Sequence, residues 1–147
     1  RFGGVVSDEA MSNPLLKEIA SSSEKIAELY EGREYAKALR TVMELADKVN
    51  GFVDENKPWE IAKDPEREAD LQRVCSITLE AFRMMSLYLK PVIPQVAAGV
   101  EEFLSLPPLS WADINTPLSS KNPIKPYKHL MTRVEAPQIE ALLAANL

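Results

Sequence analysis

The feature that most constrains the fold is a long stretch, from Glu34 to about Asp54, in which apolar residues recur at helical spacing. With about 100° of rotation per residue they fall on one broad face, which must be buried. The residues on this face are Tyr35, Ala38, Leu39, Val42, Leu45, Ala46, Val49, Phe52 and Val53. The stretch predicts a helix. Since no segment alternates apolar and polar residues with a period of two, we expect no sheet.

Prolines divide the rest of the chain into further helical segments. Asn13-Pro14 and Asp64-Pro65 each place a capping residue before a proline at the first helical position, where the missing N–H costs nothing. We predict four helices, over residues 14–31, 34–55, 65–89 and 94–105. Four helices joined by short connections favour an all-α, antiparallel bundle.

The third predicted helix carries the single cysteine of the chain on its apolar stripe. The stripe consists of Leu71, Val74, Cys75, Thr78, Phe82, Met85 and Leu89. One cysteine can form neither an internal disulfide nor a cysteine zinc site, so nothing indicates an oxidising compartment. We predict that Cys75 is a buried, unreactive packing residue, because a nucleophile would need a partner base.

The sequence changes character after Leu106. We therefore divide the chain into a helical bundle at 1–106, of which residues 1–12 are a linker, and a tail at 107–147. Five prolines fall within 20 residues of the tail, which predicts an extended segment packed on the bundle or on a neighbouring domain. A short last helix is predicted from Pro137 to Asn146.

Composition matters chiefly for the functions that it excludes. With 17 cationic and 22 acidic residues the net charge is -5, which argues against a protein that holds nucleic acid by general neutralisation of phosphates. Any contact with nucleic acid must be local. No apolar run approaches the roughly 18 residues of a membrane span, and no secretory signal is recognisable, so we expect a cytoplasmic protein.

The chain contains no set of residues typical of a catalytic or metal site. His129 is the only histidine and has no cysteine nearby. The five glycines form no phosphate-binding loop. We expect no active site, metal or cofactor within this chain.

One segment stands out, NGFVDENKPWEIAKD at residues 50–64, where the long helix ends in a polar corner. Trp59 follows a proline there, so a large flat ring is attached to backbone of fixed φ. The residues alone leave two alternatives, a ring packed on the bundle or a ring exposed for binding.

This segment, with the preceding REYAKALRTVMELADKV and the following DLQRVCSITLEAFRMMSLYLKPVIP, resembles the anticodon-binding domain of bacterial methionyl-tRNA synthetases. The resemblance extends from RFGGVV to NPIKPYKHLMTRVE and is strongest in the N-x-x-x-D-x-x-x-P-W corner. The class I synthetases for isoleucine, valine, leucine and cysteine share the helical bundle, but the corner and the tail favour methionine.

The resemblance implies a fragment of a larger ligase. ATP, magnesium and zinc would then belong to a catalytic domain outside this chain, which carries no HIGH-like or KMSKS-like motif. The family reads the anticodon with an upstream asparagine and arginine and a tryptophan, of which only Trp59 can be carried over, stacking on the cytosine of CAU. The implied partners are methionine tRNA and the catalytic domain, with no DNA and no membrane.

Charged residues near the corner have two interpretations each. Asp47 and Asp54 are seven residues apart and therefore lie on the same side of the helix. Their carboxylates either are simply solvated or repel RNA loops that make too few base contacts. With Asn50, they are further candidates for anticodon binding. Three cations, Arg33, Lys37 and Arg40, either are solvated or follow the stem of the tRNA.

An alternative of a different class is a helical scaffold for protein interactions, in which Trp59 and the tail residues Leu109, Trp111 and Ile114 bind another protein. The two functions differ at the corner. RNA binding requires an exposed Trp59 ring with a positive group nearby, whereas a scaffold would bury the ring or place it in an apolar patch.

Overall fold

Helices and no strands make up the regular structure of the part of the chain that the computed structural model describes, residues 2–7, 9–119 and 121–145. The predicted all-α bundle with a proline-rich tail and a short last helix is thereby confirmed. The helices are α1 (Pro14–Ser21), α2 (Ser23–Glu31), α3 (Tyr35–Asn56), α4 (Pro58–Ile61), α5 (Glu68–Leu89), α6 (Pro94–Phe103) and α7 (Ala136–Ala145).

Helix α5 is the centre of the bundle and packs against α1, α3, α4 and α6. Its residues Ile77, Ala81, Met84 and Tyr88 are fully buried at alternating spacings of four and three, which is the repeat of one helix face. These side chains form the main core together with residues of the first three helices, namely Leu16, Ile19, Ile26, Val42 and Leu45.

The stripe predicted for α5 is only partly its buried face. Thr78, Phe82, Met85 and Leu89 are half-buried and line an open apolar groove of about 350 Å³ between α3, α5 and α6. A helix with neighbours on several sides also buries residues off its apolar stripe, so apolar spacing did not identify its deepest face.

Cys75 is half-buried, so the prediction of a buried thiol was wrong in degree. It packs against the small cluster of Ile61, Leu71 and Val74. Because it lies about 100° around the helix from the fully buried Val74, it sits at the edge of the buried face.

The single helix predicted over 14–31 is two helices that meet at Ser22. The hydroxyls of Ser21 and Ser22 both donate to the carbonyl oxygen of Glu18, and such local bonds compete with the helix ladder. The start of α1 is as predicted, since the Asn13 side chain accepts from the N–H of Leu15 at 2.9 Å.

The N-terminal residues, expected to be a linker, belong to the bundle. Val6 and Ala10 are buried, and the N–H of Ser7 donates to the hydroxyl of Ser76 on α5 at 2.8 Å. Apolar spacing could not reveal this packing, because Phe2–Gly4 and Ala10–Ser12 are single 310 turns and too short to show a period.

The tail is not extended throughout, contrary to prediction. Trp111–Asn115 forms a 310 helix in the stretch free of proline between Pro108 and Pro117. The Asp113 carboxylate accepts from the N–H and the hydroxyl of Ser110 at 2.7 and 2.9 Å, and these bonds hold the pKa of Asp113 below its ordinary value. The spacing of Ser110 and Asp113 is a capping signal that the density of prolines concealed.

A buried ion pair on α5 fastens this part of the tail. Arg83 and Glu80 lie 2.8 Å apart with side chains 0% and 1% exposed. Arg83 also donates to the carbonyl oxygens of Asp113 and Ile114 at 2.8 and 3.1 Å, and Glu80 accepts from the N–H of Leu118. Burial raises the pKa of the Glu80 carboxyl, and the bond from Arg83 opposes that rise.

The tail residues of the scaffold alternative are engaged within the chain itself. Leu109 and Ile114 are buried in the main core. The Trp111 ring packs 5.3 Å from that of Tyr88 and meets Tyr30 edge-on at 6.2 Å. Leu109 and Ile114 are thus not available to a second protein, contrary to that alternative, and Trp111 is half-buried.

Helix α7 has no buried side chain among its 10 residues. Ile139, Leu142 and Leu143 are all exposed. Asn146, the predicted end of this helix, lies outside the described residues. Neither α7 nor any other helix in the described ranges has the length and apolar character of a membrane span.

Candidate nucleic-acid interface

The corner that carries Trp59 is built by a regular helix stop. Lys57 takes the left-handed conformation, with φ 45° and ψ 63°, and its N–H donates to the carbonyl oxygen of Val53 at 2.9 Å. The side-chain amide of Asn56 donates to the carbonyl oxygen of Phe52 at 2.8 Å. Pro58 then begins α4. A left-handed cap followed by proline ends one helix and starts the next.

Helix geometry directs the Trp59 ring outward. Ile61 is 4% exposed and packs with Leu71 and Val74 of α5. Residues two apart in a helix point about 200° apart, so anchoring Ile61 in the core places Trp59 on the opposite side. Trp59 is 51% exposed. Of the two alternatives that the residues left open, this is the exposed ring.

An exposed cation, Lys57, precedes Trp59 by two residues. It forms no ion pair with the part of the chain that the structure describes. Lys63, by contrast, is paired with Glu60 at 2.8 Å. Sequence reasoning did not single out Lys57. The sequence feature that could have identified Lys57 is its position in the corner itself, two residues before the tryptophan.

The acidic candidates lie along α3 as it approaches the corner. Asp47, Asn50 and Asp54 are all exposed, and the two carboxylates are about 10 Å apart along the helix axis. Asn50 also lines the apolar groove. Their side chains form no hydrogen bond or ion pair with other described residues, so all three are available to a ligand.

The positive stripe lies at the other end of α3. Arg40 precedes Asn56 by 16 residues, about 24 Å of helix. Lys37 is paired with Glu34, and Arg33 is in the turn before the helix with φ 58°. The structure does not bring these cations together with Trp59.

His129 is exposed and packs its ring 5.7 Å from that of Tyr127. No group of three or more residues suited to holding a metal ion occurs in the described ranges. The corner presents an exposed Trp59 ring and an exposed lysine two residues earlier, a combination that suits contact with a planar, negatively charged ligand such as a nucleotide.

Solved structures share this fold. The free form of Mycobacterium tuberculosis methionyl-tRNA synthetase superposes with a TM-score of 0.78 at 20% identity, over 91% of this chain and 27% of that one. Its form bound by methionyl-adenylate gives 0.75 at 20% identity, over 86% and 26% of the two chains. The bundle thus has the fold of a domain within these solved chains.

The sequence assigns the particular family. The family described as the anticodon binding domain of methionyl tRNA ligase matches residues 3–136, and the chain belongs to it. The methionine–tRNA ligase of Cupriavidus metallidurans is 56% identical over 146 residues, and that of Burkholderia cenocepacia is 58% identical over 146 residues. Each alignment covers 99% of this chain.

The chain spans about a fifth of these relatives, 21% and 20% of their lengths. The resemblance stated from the corner motif is confirmed. The assignment of individual residues to RNA contacts stays a prediction.

Proposed function

We propose that this domain recognises the CAU anticodon of methionine tRNA by stacking a base, the cytosine, on Trp59. The observation that carries the proposal is the half-exposed Trp59 ring, held outward because Ile61 is anchored in the core. Lys57 supplies the nearby positive group that an RNA site requires.

Stacking explains how an acidic chain can bind RNA. A base stacked on an aromatic ring contributes about 1 to 3 kcal/mol and needs no strongly basic surface. Bases of single-stranded loops are also the part of RNA that side chains read most readily. Because the corner is fixed by the left-handed Lys57 and by Pro58, little ordering of the backbone opposes binding.

The neighbouring residues of α3 are assigned to discrimination. Asn50 has an exposed amide with donor and acceptor atoms for the edge of a base. Asp47 and Asp54 are assigned to repulsion of phosphates from loops that make too few base contacts. Arg33, Lys37 and Arg40 follow the stem, at about 24 Å from the corner for Arg40.

Asp47→Ala and Asp54→Ala are expected to raise binding of tRNA with an altered anticodon more than binding of cognate tRNA. The expected change in the ratio is about 1.5- to fivefold, the equivalent of the roughly 0.2 to 1 kcal/mol of an exposed charge interaction. Kd is measured for both tRNAs. Glu44→Ala, also exposed on α3, is the control with the same charge change. Equal effects of all three substitutions would show that only the net charge of the domain matters, and would contradict a specific role for Asp47 and Asp54.

In the complete ligase, the domain serves cytoplasmic aminoacylation of methionine tRNA. ATP, magnesium and zinc belong to the portion outside this chain. The exposed apolar residues of α7, Ile139, Leu142 and Leu143, contact the catalytic domain.

The test of the proposed function is a titration of the complete ligase with methionine tRNA and with the same tRNA carrying a changed CAU. Equal affinity for the two would contradict it.

A further inference from the structure

A segment of positive charge is concealed by the acidic net charge of the chain. Residues 114–134 contain four of the 17 cationic residues and none of the 22 acidic ones. The four cations are Lys121, Lys125, Lys128 and Arg133. All are exposed, and none has an ion-pair partner within the described part of the chain. We call residues 121–133 the basic segment.

The first half of the basic segment is fixed on the bundle. The hydroxyl of Ser105 donates to the carbonyl oxygen of Pro123 at 2.6 Å, and the amide of Asn122 donates to the carbonyl oxygen of Ser105 at 3.1 Å. The N–H of Lys125 donates to the carbonyl oxygen of Phe103 at 2.9 Å. The lysines therefore project from ordered backbone at the end of α6.

An aromatic residue lies between the lysines. Tyr127 is 62% exposed, and its ring meets those of Phe103 and His129 edge-on at 5.8 and 5.7 Å. Lys125 and Lys128 line a second groove, between α6 and the basic segment, in which Glu102 is the one acidic lining residue. Basic residues interleaved with an exposed ring are the arrangement that binds nucleic-acid backbone and bases together.

The basic segment adjoins the side of α5 that carries the Trp59 corner. Cys75 packs on the cluster that anchors Ile61 and also lines a cavity with Ile124 of the basic segment. Leu71, beside Ile61, and Leu79, beside Ile124, are eight residues apart, about 12 Å along the helix. The supports of the two places therefore lie about two turns apart on one helix, a separation that a single RNA molecule can span.

We propose that the basic segment binds the phosphate backbone of RNA, with Lys125 and Lys128 on phosphates and Tyr127 against a base or sugar. This rests on the proposed function and adds a contact to the same tRNA outside its anticodon. Lysine is depleted at protein–protein interfaces, whereas it is a regular partner of nucleic-acid phosphates. The chemistry therefore favours RNA over an acidic protein surface.

The test is the double variant Lys125→Gln/Lys128→Gln in the complete ligase, titrated with methionine tRNA between 50 and 200 mM KCl. Each phosphate contact contributes about 0.7 to 0.9 to the slope of log K against log salt. We expect the magnitude of the slope to fall by about 1.4 to 1.8. The affinity should fall by the same factor for tRNA with CAU and for tRNA with an altered anticodon. Lys17→Gln/Lys25→Gln, with both lysines exposed, controls for net charge and should leave the slope unchanged.

The outcomes separate this proposal from the proposed function. An unchanged slope beside an intact preference for CAU overturns the role of the basic segment alone. If the wild-type ligase shows no preference for CAU while the double variant shows the expected fall in slope, the anticodon proposal is contradicted and the role of the basic segment is supported. Lower aminoacylation or lower Tm in the double variant with unchanged tRNA binding would identify a protein contact, and the RNA proposal would be wrong.

Discussion

Replacing Arg83 by Met is expected to lower the free energy of unfolding of this chain by about 3 to 5 kcal/mol. Removal of one partner of a buried ion pair leaves an uncompensated charge in the interior. Here the Glu80 carboxylate would stay buried, and the carbonyl oxygens of Asp113 and Ile114 would lose their donor. Urea unfolding followed by far-UV circular dichroism measures the change.

The exposed pair of Arg67 and Asp70 provides a matched control. It has the same spacing of three residues and a distance of 3.2 Å, with side chains 51% and 46% exposed. Arg67→Met should therefore cost no more than about 1 kcal/mol. The double variant Glu80→Leu/Arg83→Met should recover only part of the lost stability. An apolar pair needs no desolvated charge, but the carbonyl oxygens of Asp113 and Ile114 and the N–H of Leu118 lose their partners. Equal losses for Arg83→Met and Arg67→Met would show that the buried pair does not hold the tail.

The pH dependence gives a second signature of the same variant. Burial raises the pKa of Glu80 above its ordinary value of 4.5, and loss of Arg83 removes the main opposing interaction. A raised carboxyl pKa means that stability is fully present below the unfolded pKa and is lost as the pH rises through the folded pKa. The deficit of Arg83→Met should therefore be smaller at pH 5 than at pH 7. A deficit independent of pH would contradict a buried, ionised Glu80.

Helix spacing predicted the elements of the fold but could not predict this pair. The bounds of the helices predicted over 34–55 and 94–105 differ by at most about two residues from those of α3 and α6. Amphipathic period and proline positions act locally, so the sequence reveals them. Glu80 and Arg83 have the spacing of an ordinary solvated pair. They are buried only because the tail, whose 310 turn was not predicted, crosses over them. That crossing is a long-range contact, and no local pattern encodes it.

The corner was predictable to a greater extent because its geometry is local. The proline after a left-handed residue and the apolar Ile61 two positions after Trp59 together set the outward direction of the ring. The resemblance to a known family supplied the role of the ring, which residue physics left open. Lys57 and the basic segment were overlooked because whole-chain charge masks local clusters of cations.

Trp59→Ala in the complete ligase is expected to weaken recognition of the CAU anticodon by about five- to 150-fold. That range corresponds to loss of one stacked base at about 1 to 3 kcal/mol. The measurement is aminoacylation efficiency, kcat/KM, with cognate tRNA and with tRNA carrying an altered anticodon. Trp59→Phe keeps a ring at the position and should therefore retain part of the preference for CAU. If residue 59 only filled space, Phe would perform no better than any other side chain of its size.

The second tryptophan separates stacking from packing. Trp111 is half-buried and packs on the main core against Tyr88 and Tyr30, so Trp111→Ala should lower Tm, with the roughly 3 to 5 kcal/mol loss typical of a buried tryptophan as its upper bound. Below its Tm, anticodon preference should be unchanged. Trp59→Ala should do the reverse, because half of its ring is already in water and little apolar burial is lost. A fall in Tm with unchanged anticodon preference for Trp59→Ala would assign that ring to the core and remove the basis of the proposed function.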